Sequence, residues 1–213
     1  MAGGAIEGIC AELGLAPTAA QLQALADYLG LLQRWNTTYN LTAVRDPQAM
    51  LTQHLADCLA VVKPLLTRCA AGRVLDVGSG GGLPGVVLAV LAPALDVTCV
   101  DTVGKKAAFV RQVAGQLALP NLHAAHSRVE ALKTPGFDLV TSRAFASLLD
   151  FTSLTAHLLA PGGLWMAMKG KQPDDELAAL PPGVSVFHVE QLKVPGLDAE
   201  RCIVWLKNSQ TVT

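Results

Sequence analysis

Apolar positions within residues 1–70 recur at helical spacing. Leu22, Leu25, Leu29 and Leu32 stand three or four apart, which places them on one face of a helix. The pattern predicts helix over residues 4–35, broken at Pro17, with Thr18 as N-cap of the second segment. A polar stretch, 36–46, leads to a second amphipathic helix over 47–66. No period-two alternation interrupts this part, so residues 1–70 are expected to form an N-terminal helical cap. From Gly72 onward the period changes. Short apolar runs at 73–77, 97–101, 121–125, 137–141 and 164–168 predict strands, and helical patterns fill 83–91, 105–117 and 148–159 between them. Pro161-Gly162-Gly163 is expected to turn the chain into the fifth strand, while 184–189 and 202–206 predict a closing pair. Strands that alternate with helices produce a mainly parallel sheet with helices on both faces. The expectation is an α/β, Rossmann-like domain over 71–213 with a seven-stranded sheet, and a loose tail at 208–213.

Composition narrows the class. The 213 residues are 51% hydrophobic and 15% charged, which excludes a disordered chain. A net charge of −1 means that any nucleic-acid partner must be met by a local basic patch. Cys10, Cys58, Cys69, Cys99 and Cys202 form no C-x-x-C pair and are odd in number, and Met1-Ala2-Gly3-Gly4 lacks the basic start of a secretory signal. Reduced thiols and a cytoplasmic location are expected. The longest apolar run, 83–95, carries Pro84 and Pro93 and is too short to span a bilayer, so no membrane partner is expected.

The most informative segment is Asp76-Val77-Gly78-Ser79-Gly80-Gly81-Gly82-Leu83-Pro84-Gly85. Glycines between a strand end and a helix start let the backbone turn sharply and approach a ligand closely. N–H groups at the start of the helix then attract an anionic group. Asp101, at the end of the second strand, is placed to accept hydrogen bonds from both hydroxyls of a ribose. Two cofactors suit this arrangement. Gly80-x-Gly82-x-x-Gly85 matches a dinucleotide fingerprint, which would make the chain an NAD-dependent oxidoreductase. Pro84, however, removes one N–H from that loop, and Asp76 would repel a pyrophosphate. An acid two before the first glycine is instead the pattern of class I S-adenosylmethionine-dependent methyltransferases, where it helps position the ligand's ammonium and the loop. S-adenosyl-L-methionine is therefore the expected cofactor, with Asp76, Gly78, Gly80 and Asp101 around it.

The same loop resembles that of the bacterial 16S ribosomal RNA guanine-N7 methyltransferase family, also called glucose-inhibited division protein B. Further segments carry the resemblance along most of the chain. They are Trp35-Asn36-x-x-x-Asn40-Leu41-Thr42, His54-x-x-Asp57-Cys58-Leu59, Asp101-Thr102-x-x-Lys105-Lys106-x-x-Phe109, Thr141-Ser142-Arg143-Ala144 and Met168-Lys169-Gly170. Cys58 departs from the family's usual serine. Carried over by position, the family's cofactor contacts fall on Gly78, Leu83, Val129, Glu130 and Arg143. Val129 replaces a more common alanine, a change expected to matter little at a backbone and apolar contact. The resemblance implies methylation of N7 of a guanine in 16S rRNA, near the decoding region of the small ribosomal subunit.

The remaining residues fit that chemistry. Guanine N7 carries a free lone pair at neutral pH, so alignment suffices and no general base is required. No proline-cysteine pair and no Asn/Asp-Pro-Pro-aromatic follows the fourth strand, which argues against methylation of cytosine C5 or an exocyclic amine. Arg143 is expected in the crevice at that strand's end, holding cofactor or substrate, with a structural ion pair as the alternative. Lys105, Lys106, Arg111, Arg128, Lys169 and Lys171 could form a basic rim for RNA phosphates, or stand as separate solvated charges. Trp35, Tyr39 and His54 could stack on or bond an extruded base, though Trp35 equally suits an anchor between cap and sheet. His123-x-x-His126 lacks further ligands, so no metal is expected; Asp138 and Trp165 read as structural. The rival readings are a small-molecule methyltransferase on the same fold, the oxidoreductase above, and a non-enzymatic role in division or ribosome assembly.

Overall fold

The helical N-terminal part begins with α1 (Ala2–Glu12) and α2 (Ala19–Tyr39). Thr18 caps α2 as expected, in a reciprocal box: its hydroxyl accepts from Gln21 N and its N–H donates to Gln21 Oε1. Gln21 Nε2 also donates to Val90 O at 2.9 Å, which ties this helix to the one over 85–91. The helix predicted over 47–66 is not continuous. It comprises α3 (Pro47–Met50), a π-helical turn (Leu51–Ala56), α4 (Asp57–Leu59) and α5 (Val62–Arg68). Pro64 explains the final break. Its ring would clash with the carbonyl of residue 60 in a continuous helix, so the helix restarts at Val62 and places Pro64 in its first turn. The computed structural model describes residues 2–134, 136–143, 145 and 147–209; Ala144 of the Thr141–Ala144 motif, and the end of the expected tail, lie outside them.

Strands and helices then alternate: β1 (Gly72–Val77), α6 (Gly85–Leu91), β2 (Leu95–Asp101), α7 (Gly104–Gln116), β3 (Leu122–His126), β4 (Phe137–Ser142), α8 (Leu148–Thr155), β5 (Leu159–Lys169), α9 (Asp174–Ala178), β6 (Val184–Leu192) and β7 (Arg201–Asn208). They form one seven-stranded sheet in the order β3-β2-β1-β4-β5-β7-β6. β1 to β5 pair parallel with one another, whereas β7 runs antiparallel to β5 and to β6. This is the class I methyltransferase architecture expected from the sequence.

Three local expectations need correction. Pro161-Gly162-Gly163 does not turn the chain ahead of a strand; it lies inside β5, where the register with β4 shifts between Phe137 and Leu139 and Gly162 takes φ 78°. The helix expected over 148–159 ends at Thr155, and a 3-10 turn (Ala156–Leu158) leads directly into β5. Helix α9 was not read from the sequence, although Pro173 followed by Asp174, Asp175 and Glu176 is a helix-start signal.

Alternation along the strands divides the core. Val74, Val97, Met166 and Trp205 face one side, where α1 to α7 contribute Ile6, Leu25, Leu55, Val86 and Phe109 to the same buried cluster. Leu75, Val140, Trp165 and Val204 face the other, covered by Leu148 and Phe151 of α8. Trp165 is fully buried and donates to Thr155 Oγ1, while Asp138 accepts from Arg73 N. Among the described residues, no helix is long and apolar enough to cross a membrane, and the five cysteines are unpaired. The strand order reverses between β1 and β4, so their carboxyl ends open the crevice in which such sheets bind ligands.

Candidate active site

The glycine loop leaves β1 at this crevice and is held from three sides. Asp76 lies beneath it, fully buried, its Oδ2 accepting from Gly85 N at 2.8 Å. From the neighbouring strand, Asp101 Oδ2 accepts from Gly80 N at 3.0 Å. Tyr28, reaching across from α2, donates its hydroxyl to Gly81 O at 2.7 Å. The residue at 85 has to be glycine for reasons of space: a Cβ there would overlap Cys99 Sγ and stand 3.0 Å from Asp76 Oδ2. Gly78 differs. It has φ 66°, and a Cβ on it would meet nothing within 4 Å, so the backbone itself forms the ligand-facing wall.

The loop's N–H groups are largely committed within the protein. Gly78 N and Ser79 N donate to Val100 O, Gly82 N and Leu83 N to Ser79 O, and Gly80 N and Gly85 N to the two aspartates. The start of α6 therefore offers an anion fewer free donors than the glycine pattern suggests. Burial pushes the Asp76 carboxyl up to about 7, against the pull of the Gly85 N–H and Arg143. Asp76 acts on the loop from below and does not reach the cavity surface.

Two cavities flank the loop. The larger, about 410 Å³, is lined by Gly78, Asp101, Val129, Glu130, Val103 and Phe145, among others. That size falls within the range of small-molecule sites, roughly 300–1,000 Å³. Four of the expected cofactor residues thus meet in one place. Asp101 is braced for such a role: Oδ1 accepts from Val103 N at 2.8 Å, and Lys106 Nζ lies 3.7 Å from Oδ2. A lining that combines an acid with apolar Val129, Val103 and Phe145 suits a nucleoside, whose ribose is polar and whose base is flat. The donor set fits S-adenosylmethionine. A second cavity, about 170 Å³, lies against Gly78, Gly80 and Leu83 and is closed by Lys106, His54 and Arg143.

Beyond Arg143 lies a third cavity of about 370 Å³, lined by Gln53, His54, Asp57, Lys169 and Arg201 as well. Arg143 follows β4 directly, as expected, and walls both this cavity and the smaller one. It also makes the ion pair that was its alternative role, with Nη1 3.6 Å from Asp57 Oδ2. His54 bonds Thr42 Oγ1 at 2.7 Å through Nε2 and faces Arg143 Nη1 at 3.3 Å through Nδ1. Burial, and then the Arg143 cation, lower His54 to about 4, so the ring is neutral near pH 7. Lys169 pairs with Glu176 of α9 at 2.8 Å.

The other expected residues are dispersed. Trp35 lies against Phe109 of α7, ring centroids 5.4 Å apart, and against Tyr39 at 4.9 Å, which is the anchoring arrangement. Lys105 is exposed on α7, and Arg128 pairs with Glu130 at the rim of the cavity that Asp101 lines. His123 bonds Asp96, and His126 bonds Thr102 O; among the described residues no three potential metal ligands come together. Arg201 and Tyr28 were not picked out in the sequence, because antiparallel pairing of β7 with β5 and packing of α2 on the loop bring them in from afar.

The family model described as GidB, rRNA small subunit methyltransferase G, matches residues 21–204. A ribosomal RNA small subunit methyltransferase G from Acidovorax sp. (strain JS42) is 61% identical over 205 residues, covering 92% of this chain and 90% of that protein. The protein of the same name from Bordetella avium (strain 197N) is 55% identical over 208 residues, covering 96% and 93%. Among solved structures, a SAM dependent methyltransferase from Aquifex aeolicus superposes with TM-score 0.56 at 18% identity, covering 76% of this chain and 93% of that one. TrmN from Thermus thermophilus gives TM-score 0.57 at 22% identity, covering 71% and 48%. At such identities the structural likeness speaks for the fold alone.

Proposed function

This chain belongs to the rRNA small subunit methyltransferase G family, and from that premise we propose that it transfers a methyl group from S-adenosylmethionine to N7 of a guanine in 16S rRNA. The observation that carries the reading is the meeting of Gly78, Asp101, Val129 and Glu130 around one cavity at the carboxyl ends of the parallel strands. When bound, S-adenosylmethionine supplies the electrophilic methyl group. Asp101, already fixed by two backbone N–H groups, accepts the ribose hydroxyls with its remaining lone pairs. The Gly78 backbone and Val129 close around the nucleoside, while Arg143 and Leu83 bound the smaller cavity beside the loop. The target nucleotide approaches through the third cavity, past Arg143 and His54.

No group here has to remove a proton, because the N7 lone pair is free at neutral pH. The task of the side chains is alignment, which contributes about 7–11 kcal/mol in favourable systems. The substrate places the enzyme in the cytoplasm with the small ribosomal subunit as its partner. Recognition relies on local charge, since the chain as a whole carries −1.

Two measurements test this reading. S-adenosylmethionine at 100 times its Kd is expected to stabilise the fold by about 2.7 kcal/mol in a melting experiment, and NAD at the same concentration not at all. A shift with NAD and none with S-adenosylmethionine would reverse the choice of cofactor. Reversing the exposed charges Lys105 and Lys171 to glutamate is expected to raise KM for small ribosomal subunits about tenfold and to flatten the log–log salt dependence by about 1–2. Unchanged KM and salt slope would remove these lysines from the RNA-facing rim.

A further inference from the structure

The two cavities that flank the glycine loop differ in charge. The larger has Asp101 and Glu130 in its lining. The smaller has no acid among its described lining residues, but it has two cations, Lys106 and Arg143. Gly78 and Lys106 line both cavities, so a ligand that occupies the two together passes the Lys106 side chain. S-adenosylmethionine has the matching division. Its nucleoside suits the acid and apolar wall of the larger cavity, which leaves the smaller one for a tail that ends in a carboxylate and an ammonium.

The loop alone does not balance that carboxylate. The N–H groups of Gly78, Ser79, Gly80, Gly82, Leu83 and Gly85 all donate within the protein, and Pro84 has none to offer. Gly81 N is the one left over among the described residues of this stretch, and one neutral N–H is a weak match for a full negative charge. The carbonyls of Gly78 and Gly80 accept no hydrogen bond among the described residues, so the loop is better equipped for the ammonium.

Lys106 supplies what the loop lacks. It stands in the first turn of α7, its side chain 28% exposed and its backbone N–H bonded to Val103 O at 2.9 Å. Its Nζ lies 3.7 Å from Asp101 Oδ2, the oxygen that accepts from Gly80 N. The ammonium is thus kept near the loop by charge, at a separation too long for a hydrogen bond. Among the described residues its three donors are unused. Arg143 lines the smaller cavity as well, but its Nη1 is engaged by Gln53 O and His54 Nδ1.

We propose that Lys106 binds the carboxylate of S-adenosylmethionine and makes the site specific for a cofactor with an intact amino-acid tail. This rests on S-adenosylmethionine as the cofactor and is independent of the guanine target. It assigns Lys106 to the cofactor and not to the RNA-facing rim.

The test is isothermal titration of the full chain with S-adenosylmethionine and with decarboxylated S-adenosylmethionine, which differ by that carboxylate alone. Lys106→Met keeps the length of the stem and removes the charge. It is expected to weaken S-adenosylmethionine binding about 30-fold, as loss of a charge-assisted hydrogen bond does, and binding of the decarboxylated form less than about threefold. Lys106→Glu is expected to move the two ligands in opposite directions, weakening the first and tightening the second, whose tail is purely cationic. Should Lys106→Met melt below the titration temperature, this opposition of sign in Lys106→Glu decides alone. Equal weakening of both ligands would mean that the lysine acts on the nucleoside through Asp101, and would overturn the inference. Unchanged affinity for both would leave the carboxylate to Arg143 and overturn it too. A wild type that binds neither ligand overturns the cofactor assignment and this inference with it, whereas wild-type binding with equal or absent losses overturns this inference alone.

Discussion

Replacing Asp101 by alanine is expected to weaken S-adenosylmethionine binding by more than about a hundredfold, roughly 3 kcal/mol or more, while the fold persists. Hydrogen bonds to a charged acceptor each contribute about 1.5–3 kcal/mol, and this carboxylate is placed to receive two from the ribose. It also fixes the cavity wall, since Gly80 N and Val103 N both donate to it. Those two N–H groups belong to the rim of the cavity, where water can replace the lost acceptor, so the effect on stability is smaller than on binding. Isothermal titration with the cofactor, alongside a melting curve, separates the two effects. An Asp101→Ala variant that binds S-adenosylmethionine like the wild type would remove this residue from the cofactor site.

The second large effect is on folding. Gly85→Ala is expected to destabilise the protein by about 3 kcal/mol, at the upper end of overpacking in a tight core. A chain of this length then melts about 6–12 °C lower. The added methyl overlaps Cys99 Sγ and stands 3.0 Å from Asp76 Oδ2, and none of these groups has room to withdraw. Cys99 is in the middle of β2, and Asp76 is fully buried and bonded to Gly85 N. Differential scanning calorimetry checks this, and an unchanged melting temperature would show that the loop does not pack on the sheet as described. Pairing the change with Cys99→Ala, which removes the nearest obstacle, is expected to recover part of the loss.

The placement of the glycine loop and of Asp101 at the ends of β1 and β2 was legible because these residues are contiguous with the strands that carry them. A strand end, a run of glycines and the next strand's terminal acid together specify where Asp76, Gly78 and Asp101 must be, whatever happens elsewhere in the chain. What could not be read was how far Asp76 lies beneath the loop, since burial is a property of the packed layers. The third cavity was only half visible. His54 and Asp57 stand three residues apart, but their shared orientation depends on a π-helical turn that no local propensity announces. Arg201 reaches Asp57 only because β7 returns antiparallel along β5, pairing Cys202 with Lys169. Pro64 was a local signal passed over inside a strong amphipathic pattern, and Pro173 with its three following acids was another. Pro161-Gly162-Gly163 carried a turn's composition into a strand because a bulge in β5 absorbs it.

The most direct measurement is transfer of labelled methyl groups from S-adenosylmethionine to small ribosomal subunits and to naked 16S rRNA, both from a strain lacking this gene. Incorporation at one guanine, with the product base identified as 7-methylguanine, is the expected result. Absence of incorporation into either substrate, by protein that binds S-adenosylmethionine, would contradict rRNA as the substrate and turn attention to small-molecule acceptors on the same fold.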